Sequence, residues 1–186
     1  MKKNILKFFA LTFMLFCMTG CVEDPAENYN VGDEVIVGDV EFYIYKTDYN
    51  KLYLITKDII ATTSFYEKDQ YGDSYYESLV SDCVSDFSSE LVRKGVEIEE
   101  YRLIEREEMQ DLGCDDPQAL NGRELLCENA PNFIKIGKSY WVDSYSKFSS
   151  YAWGAYDSEK NELDYTECEK ELGVRPIIVV EPSQVQ

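Results

Sequence analysis

Apolar and polar residues recur along this chain with two periods, and each period predicts its own kind of element. In residues 40–45, Val40, Phe42 and Ile44 alternate with Tyr43 and Tyr45, and in residues 52–56 Leu52 and Leu54 alternate with Tyr53 and Ile55. A period of two marks strands, and the turn-forming Thr47-Asp48-Tyr49-Asn50 between them predicts a hairpin with both faces at least partly covered. Residues 31–37 (V-G-D-E-V-I-V) precede it and stop at Gly38-Asp39. The period then lengthens. Tyr76, Leu79, Val80, Cys83, Val84, Phe87 and Leu91 form an apolar stripe of helical spacing, which predicts a helix over 74–91. Ser74 with Glu77 fits a capping box at its start, and Gly95 supplies a terminator. Residues 98–103 predict a short strand, and 105–112 a second helix closed by Gly113. In residues 115–130, Asp116 can cap, Pro117 suits a first helical position, and Leu120, Glu124 and Cys127 follow at helical spacing.

The last quarter, residues 138–182, gathers three apolar segments separated by Ser, Asp, Asn and Glu clusters. Trp141 and Trp153 lie in the first two. The third, 174–180, is a nearly continuous β-branched run and predicts a central, buried strand. Arg175 stands inside that run. A buried guanidinium needs a partner, so an internal carboxylate is the expected one, with an anion clamp as the functional alternative.

The N-terminus has a different character. Lys2, Lys3 and Lys7 precede an apolar stretch, residues 8–16, too short to span a bilayer. Met18-Thr19-Gly20-Cys21 follows and resembles a bacterial lipobox, with Met18 where Leu is usual. The resemblance implies that residues 1–20 are a signal peptide and that Cys21 receives lipid. Residues 21–30 then read as a flexible polar tether, and 31–183 as a single domain. The implied location is the bacterial cell envelope, lipid-anchored at the outer membrane or cell surface.

Charge and residue usage narrow the function. The chain has 36 acidic against 18 basic residues, a net charge of −18. Such a surface repels nucleic acid and anionic headgroups, so the membrane is a partner through the lipid alone. Fifteen tyrosines and nine phenylalanines argue for a packed core rather than disorder. The absence of histidine removes the commonest general base and transition-metal ligand. No enzyme, cofactor or metal is expected. The acids Asp115-Asp116 and the cluster over 97–100 match no EF-hand spacing and read as solvated. Cys83, Cys114, Cys127 and Cys168 allow two disulfides in any of three pairings.

Taken in order, several short motifs resemble a known group. They are Gly32-Asp33 with Val35, Arg102-Leu103, Glu107-Glu108-Met109, Tyr140-Trp141 and Gly173-Val174-Arg175-Pro176. This order resembles bacterial domains of unknown function with a C-type-lectin-like fold, relatives of the formylglycine-generating sulfatase-modifying domain. The resemblance implies an α+β domain: two helices packed on small, mostly antiparallel sheets, with the N- and C-terminal strands paired. It also implies a disulfide from the first helix to the region before the last strand, hence Cys83–Cys168 outside and Cys114–Cys127 inside. Glu181-Pro182-Ser183 does not match the calcium-and-sugar motif of lectins, and no cysteine pair like that of the formylglycine generators stands in residues 140–156. Neither activity carries over.

The expected function is non-catalytic recognition or adhesion, with a protein, peptide or glycan as ligand. The alternative is a structural or assembly subunit of an envelope complex. Ligand-binding candidates are Tyr145, Tyr151, Trp153 and Asp143. Aromatic residues fill cores more often than they bind ligands, so Trp141 and Trp153 are expected inside. Tyr145 and Tyr151, flanking the Ser-rich turn, are the better exposed candidates.

Overall fold

Left-handed backbone at Gly38 (φ 57°) and Asp39 (φ 71°) makes the first tight turn, the conformation a two-residue hairpin of this twist requires. A Cβ on Gly38 would stand 2.9 Å from Leu91 Cδ2, so the turn can pack on the first helix only with glycine there. The computed structural model describes residues 25–67, 74–116, 124–146 and 152–186. The leader, Cys21 and Tyr151 lie outside the described residues.

Five antiparallel strands form the first sheet: β1 (Glu34–Val37), β2 (Val40–Asp48), β3 (Lys51–Thr56), β5 (Glu100–Leu103) and β11 (Pro176–Val180). Their order is β1-β2-β3-β11-β5. All five residues of β11 are buried, as the β-branched run predicted. The second sheet contains β4 (Ala61–Thr63), β6 (Leu125–Leu126), β7 (Tyr140–Tyr145), β8 (Ala152–Asp157), β9 (Glu162–Glu167) and β10 (Leu172–Val174). Its order is β4-β10-β7-β8-β9-β6, antiparallel except between β10 and β7. Two helices complete the α+β fold: α1 (Leu79–Arg93) and α2 (Arg106–Asp111).

The expected pairing of N- and C-terminal strands is corrected: β11 lies between β3 and β5, and β1 pairs with β2. The chain end reaches β1 through a backbone bond from Gln186 N–H to Ile36 O and through Val185, which packs against the cluster holding Val35 and Val37. The start of α1 is corrected too. Ser78 caps it, its hydroxyl accepting from Ser81 N–H at 3.0 Å, while Ser74 makes no side-chain cap bond. Tyr76 is therefore not on the helical stripe and is 84% exposed. Of the helical spacing expected over 115–130, Pro117 and Leu120 lie outside the described residues, and between Glu124 and Cys127 the chain forms β6 instead, which pairs with β9.

The chain crosses directly between the sheets at two places. The chain passes from β3 in the first sheet to β4 in the second, and returns from β10 to β11. The crossing is tight, because a Cβ on Gly173 would stand 2.5 Å from Ile59 Cγ2. Three apolar clusters fill the layers. Phe42, Ile44, Leu52, Leu54, Ile178 and Val180 pack with Leu91 of α1. Tyr45, Ile55 and Ile177 join Met109 of α2 and Tyr140 between the sheets. Val80 and Val84 of α1 meet Phe65, Trp141 and Trp153 in the third. Burying each such side chain contributes roughly 1.5–3 kcal/mol.

Cys114 and Cys127 form a disulfide with Cα atoms 4.0 Å apart, stapling the end of α2 to the residue after β6. A loop of this length is worth roughly 3 kcal/mol in the chain-entropy account. The outer disulfide is corrected. Cys83 and Cys168 are free thiols, although both belong to the third cluster. The Phe65 segment stands between their elements: its N–H donates to Cys168 O, and its carbonyl accepts from Leu79 N–H at the start of α1. Burial pushes the Cys168 thiol up to about 11.

Candidate functional site

A bulge in β7 builds the site. Trp141 faces Ala155 and Tyr145 faces Trp153, so three residues of β7 pass a single residue of β8, Gly154. Only glycine fits beneath, since a Cβ there would lie 2.6 Å from Ser144 Cβ and 3.2 Å from Val142 O. The bulge carries Asp143 across to the other sheet. Its N–H donates to Ile104 O at 2.9 Å, and it bridges Glu105, the N-cap of α2.

Asp143 sits among charges it does not neutralise. Burial first and the charge of Glu105 second push its carboxyl up to about 6, against the opposing charge of Arg102. Arg102 is already committed to Glu108 by two bonds, Nη1 to Oε2 at 2.7 Å and Nη2 to Oε1 at 3.0 Å. Glu108 also accepts from Glu105 N–H and from the Tyr45 hydroxyl, both at 2.9 Å. Burial works against ionising Glu108, but Arg102 and these donors outweigh it and hold the carboxyl below its usual range. A raised Asp143 beside a depressed Glu108 is the kind of divergence that marks functional sites.

Aromatic rings lead from the core to the surface beside this carboxyl. Phe65, fully buried, stacks on Trp153 at 4.2 Å and meets Trp141 edge-on at 5.2 Å. Trp141 is satisfied, its Nε1 donating to Thr63 O at 2.9 Å. Trp153, 2% exposed, has an indole N–H with no hydrogen-bond partner. Tyr145 rests edge-on against it at 5.6 Å and is 38% exposed. On the other flank Tyr75 lies 6.5 Å from Phe65 and 5.6 Å from the exposed Tyr76. The Tyr75 hydroxyl is also buried and donates to no acceptor, although the Leu103 backbone stands close enough to reach its oxygen. Burial raises its pKa, and the charge of Asp143 adds to the rise, so the two groups share one neighbourhood.

The structure thus brings Asp143, Tyr145 and Trp153 together, while Tyr151 falls outside the described residues. Trp153 is core rather than platform, as its size predicted, but its polar edge is left open. Sequence reasoning missed Tyr75, Tyr76 and Phe65. The clusters Phe65-Tyr66 and Tyr75-Tyr76 were a signal of aromatic density in an otherwise polar stretch. Chemically, this face offers exposed rings for the apolar side of a ligand, two unfilled donors, and a carboxyl that both donates and accepts near pH 6. Among the described residues, no three acidic or cysteine side chains converge as a metal-ligand set.

Comparisons with protein-family models, with characterised proteins and with solved structures found no match to this chain.

Proposed function

We propose that the protein is a lipid-anchored lipoprotein of the bacterial envelope whose globular part recognises an external ligand, a glycan or a peptide, without catalysis. The single observation that carries this reading is the face around Asp143: exposed Tyr145 and Tyr76 flank two buried, unfilled donors, Trp153 Nε1 and Tyr75 hydroxyl. Buried donors without partners cost free energy, which a ligand acceptor recovers. Aromatic rings at such an edge serve as rigid anchors. The two-sheet α+β architecture is compatible with a C-type-lectin-like fold, and the histidine-free composition supports a binding role over an acid–base one.

The test screens the purified protein on glycan and peptide arrays and then compares variants. Tyr145→Ala and Tyr76→Ala should each weaken the best ligand at least tenfold while leaving the thermal midpoint within a degree or two. Unchanged binding in both would refute the assignment of this face. Replacing Cys21 with Ser should move the protein from the membrane to the soluble fraction. Retention of that variant in the membrane would remove the lipid anchor from the proposal.

A further inference from the structure

The ribbon that crosses between the sheets carries a charge at its corner. Arg175 separates β10 from β11 and is fully buried. Among the described residues no carboxylate meets it, which corrects the partner expected from sequence. Its Nε donates to Thr56 O at 2.8 Å, on the strand that crosses in the opposite direction. Its guanidinium carbon stands 5.3 Å from the centre of the Tyr140 ring. Nη1 and Nη2 make no hydrogen bond of ordinary geometry, the approach to the Tyr140 hydroxyl being a loose one, and the hydroxyl of Thr56, 1% exposed, makes none either.

Neighbouring groups bring no negative charge. The Tyr140 hydroxyl donates to Ile134 O at 3.1 Å and keeps its oxygen close enough to accept from the guanidinium, while that of Tyr43 donates to Glu34 at 3.1 Å. The acid whose field reaches Arg175 is Asp58. Its side chain is 80% exposed and stands 3.8 Å from Lys138. A lysine in this position would lose its proton, but arginine keeps its charge in proteins. A desolvated, permanent positive charge therefore calls for a negative one from outside the chain.

We propose that this corner is a binding site for a small inorganic monoanion of chloride size, held by Arg175 Nη1 and Nη2 and the Thr56 hydroxyl. The open groups belong to Arg175, between β10 and β11, and to Thr56, the last residue of β3, and the Nε bond to the Thr56 carbonyl joins these two residues at one corner. Complete burial favours a small ion over an organic carboxylate. A spherical ion also accepts bonds from donors at any angle. Bound there, it ties β3 to the β10–β11 junction and so fixes the angle between the sheets.

Thermal unfolding of the purified full chain tests this, with chloride replacing isethionate at constant ionic strength. The midpoint should climb with chloride in the wild type and stay flat in Arg175→Met. Equal chloride dependence in both would overturn the site, because general salt effects act on both alike. Should Arg175→Met fail to fold, Thr56→Val serves instead and should show a weaker chloride dependence; an unchanged one counts against the proposal. Crystals grown in bromide give a direct readout. An anomalous peak within hydrogen-bond reach of Arg175 Nη supports the site, and ordered water alone at that position overturns it.

Discussion

Arg102 keeps 16% of its side chain exposed and meets three carboxylates, whereas Arg175 is fully buried and touches none among the described residues. Both lie where the chain passes near both sheets: Arg102 on β5 beside the Asp143 bridge, Arg175 at the crossing of the last strand. At the first place the fold supplies its own counter-charge, from a helix cap that doubles as an ion-pair partner. At the second it supplies one carbonyl and one ring. Local sequence explains the contrast. Arg102 and Glu108 are six positions apart, so a short strand and one helical turn suffice to join them. Arg175 is 119 positions from Thr56 and receives whatever the sheet crossing brings.

Removing Glu108 is the strongest way to break the comparison. Glu108→Ala leaves Arg102, the Tyr45 hydroxyl and the Glu105 N–H without their shared acceptor. Withdrawing one partner from a part-buried pair of this kind should cost about 2–3 kcal/mol in denaturant unfolding. A loss under about 1 kcal/mol would mean that Glu100 and Glu105 neutralise Arg102 without it.

Asp143 gives the next effect, with a pH dependence opposite to that of Glu108. Its folded pKa of about 6 lies above the ordinary aspartate value. The folded state therefore holds the proton more tightly than the unfolded chain. The stability this contributes is complete below about pH 4 and is lost as pH rises through 6. Asp143→Asn removes the dependence, so the variant should exceed wild type at pH 7 by on the order of 1–2 kcal/mol. That range allows for screening of a partly exposed carboxyl. The advantage should vanish at pH 4. Glu108, depressed in the fold, acts the other way, its contribution being lost as pH falls. Parallel wild-type and Asp143→Asn stability curves from pH 4 to 8 would refute the assignment.

What the sequence revealed follows from how local each feature is. Alternation located β2 and β3, the β-branched run located β11, and Gly113 marked the end of α2 because its φ of 93° suits glycine. The strand β9 was read as merely polar, since Leu163 alone among its six residues is buried. Its pairing along β8 holds it in place, and main-chain bonds leave no trace in hydropathy. The helical stripe overran the start of α1 because Tyr76 fits the period, while the cap at Ser78 decides the boundary. In the candidate site, Asp143 and Tyr145 were legible as polar and aromatic residues beside a turn. The bulge that aims Asp143 at α2 was not, since Gly154 resembles any strand glycine until its neighbours are known. Arg175 was legible as a charge in an apolar run, but its partner was set by a distant strand.

The smallest effect sharpens the comparison most. Asp58 is a carboxylate whose field Arg175 feels, which makes it the candidate for an internal counter-ion among the described residues. Its side chain is 80% exposed and its ion-pair contact is Lys138 at 3.8 Å, itself 55% exposed. Exposed pairs of this kind contribute between nothing and about 1 kcal/mol, because water screens the charges and both side chains lose freedom. Asp58→Asn should therefore change stability by less than about 0.5 kcal/mol, and Lys138→Ala by no more. If Asp58 instead turned inward to serve Arg175, Asp58→Asn would strand a buried guanidinium and cost about 3 kcal/mol or more. Denaturant unfolding of the two variants in chloride-free buffer separates these outcomes. That buffer matters, since an anion at the Arg175 corner would mask the loss of a protein carboxylate. A large loss for Asp58→Asn there would place Arg175 in the same class as Arg102, a charge the fold neutralises for itself. A negligible one leaves the buried arginine dependent on what the solvent brings.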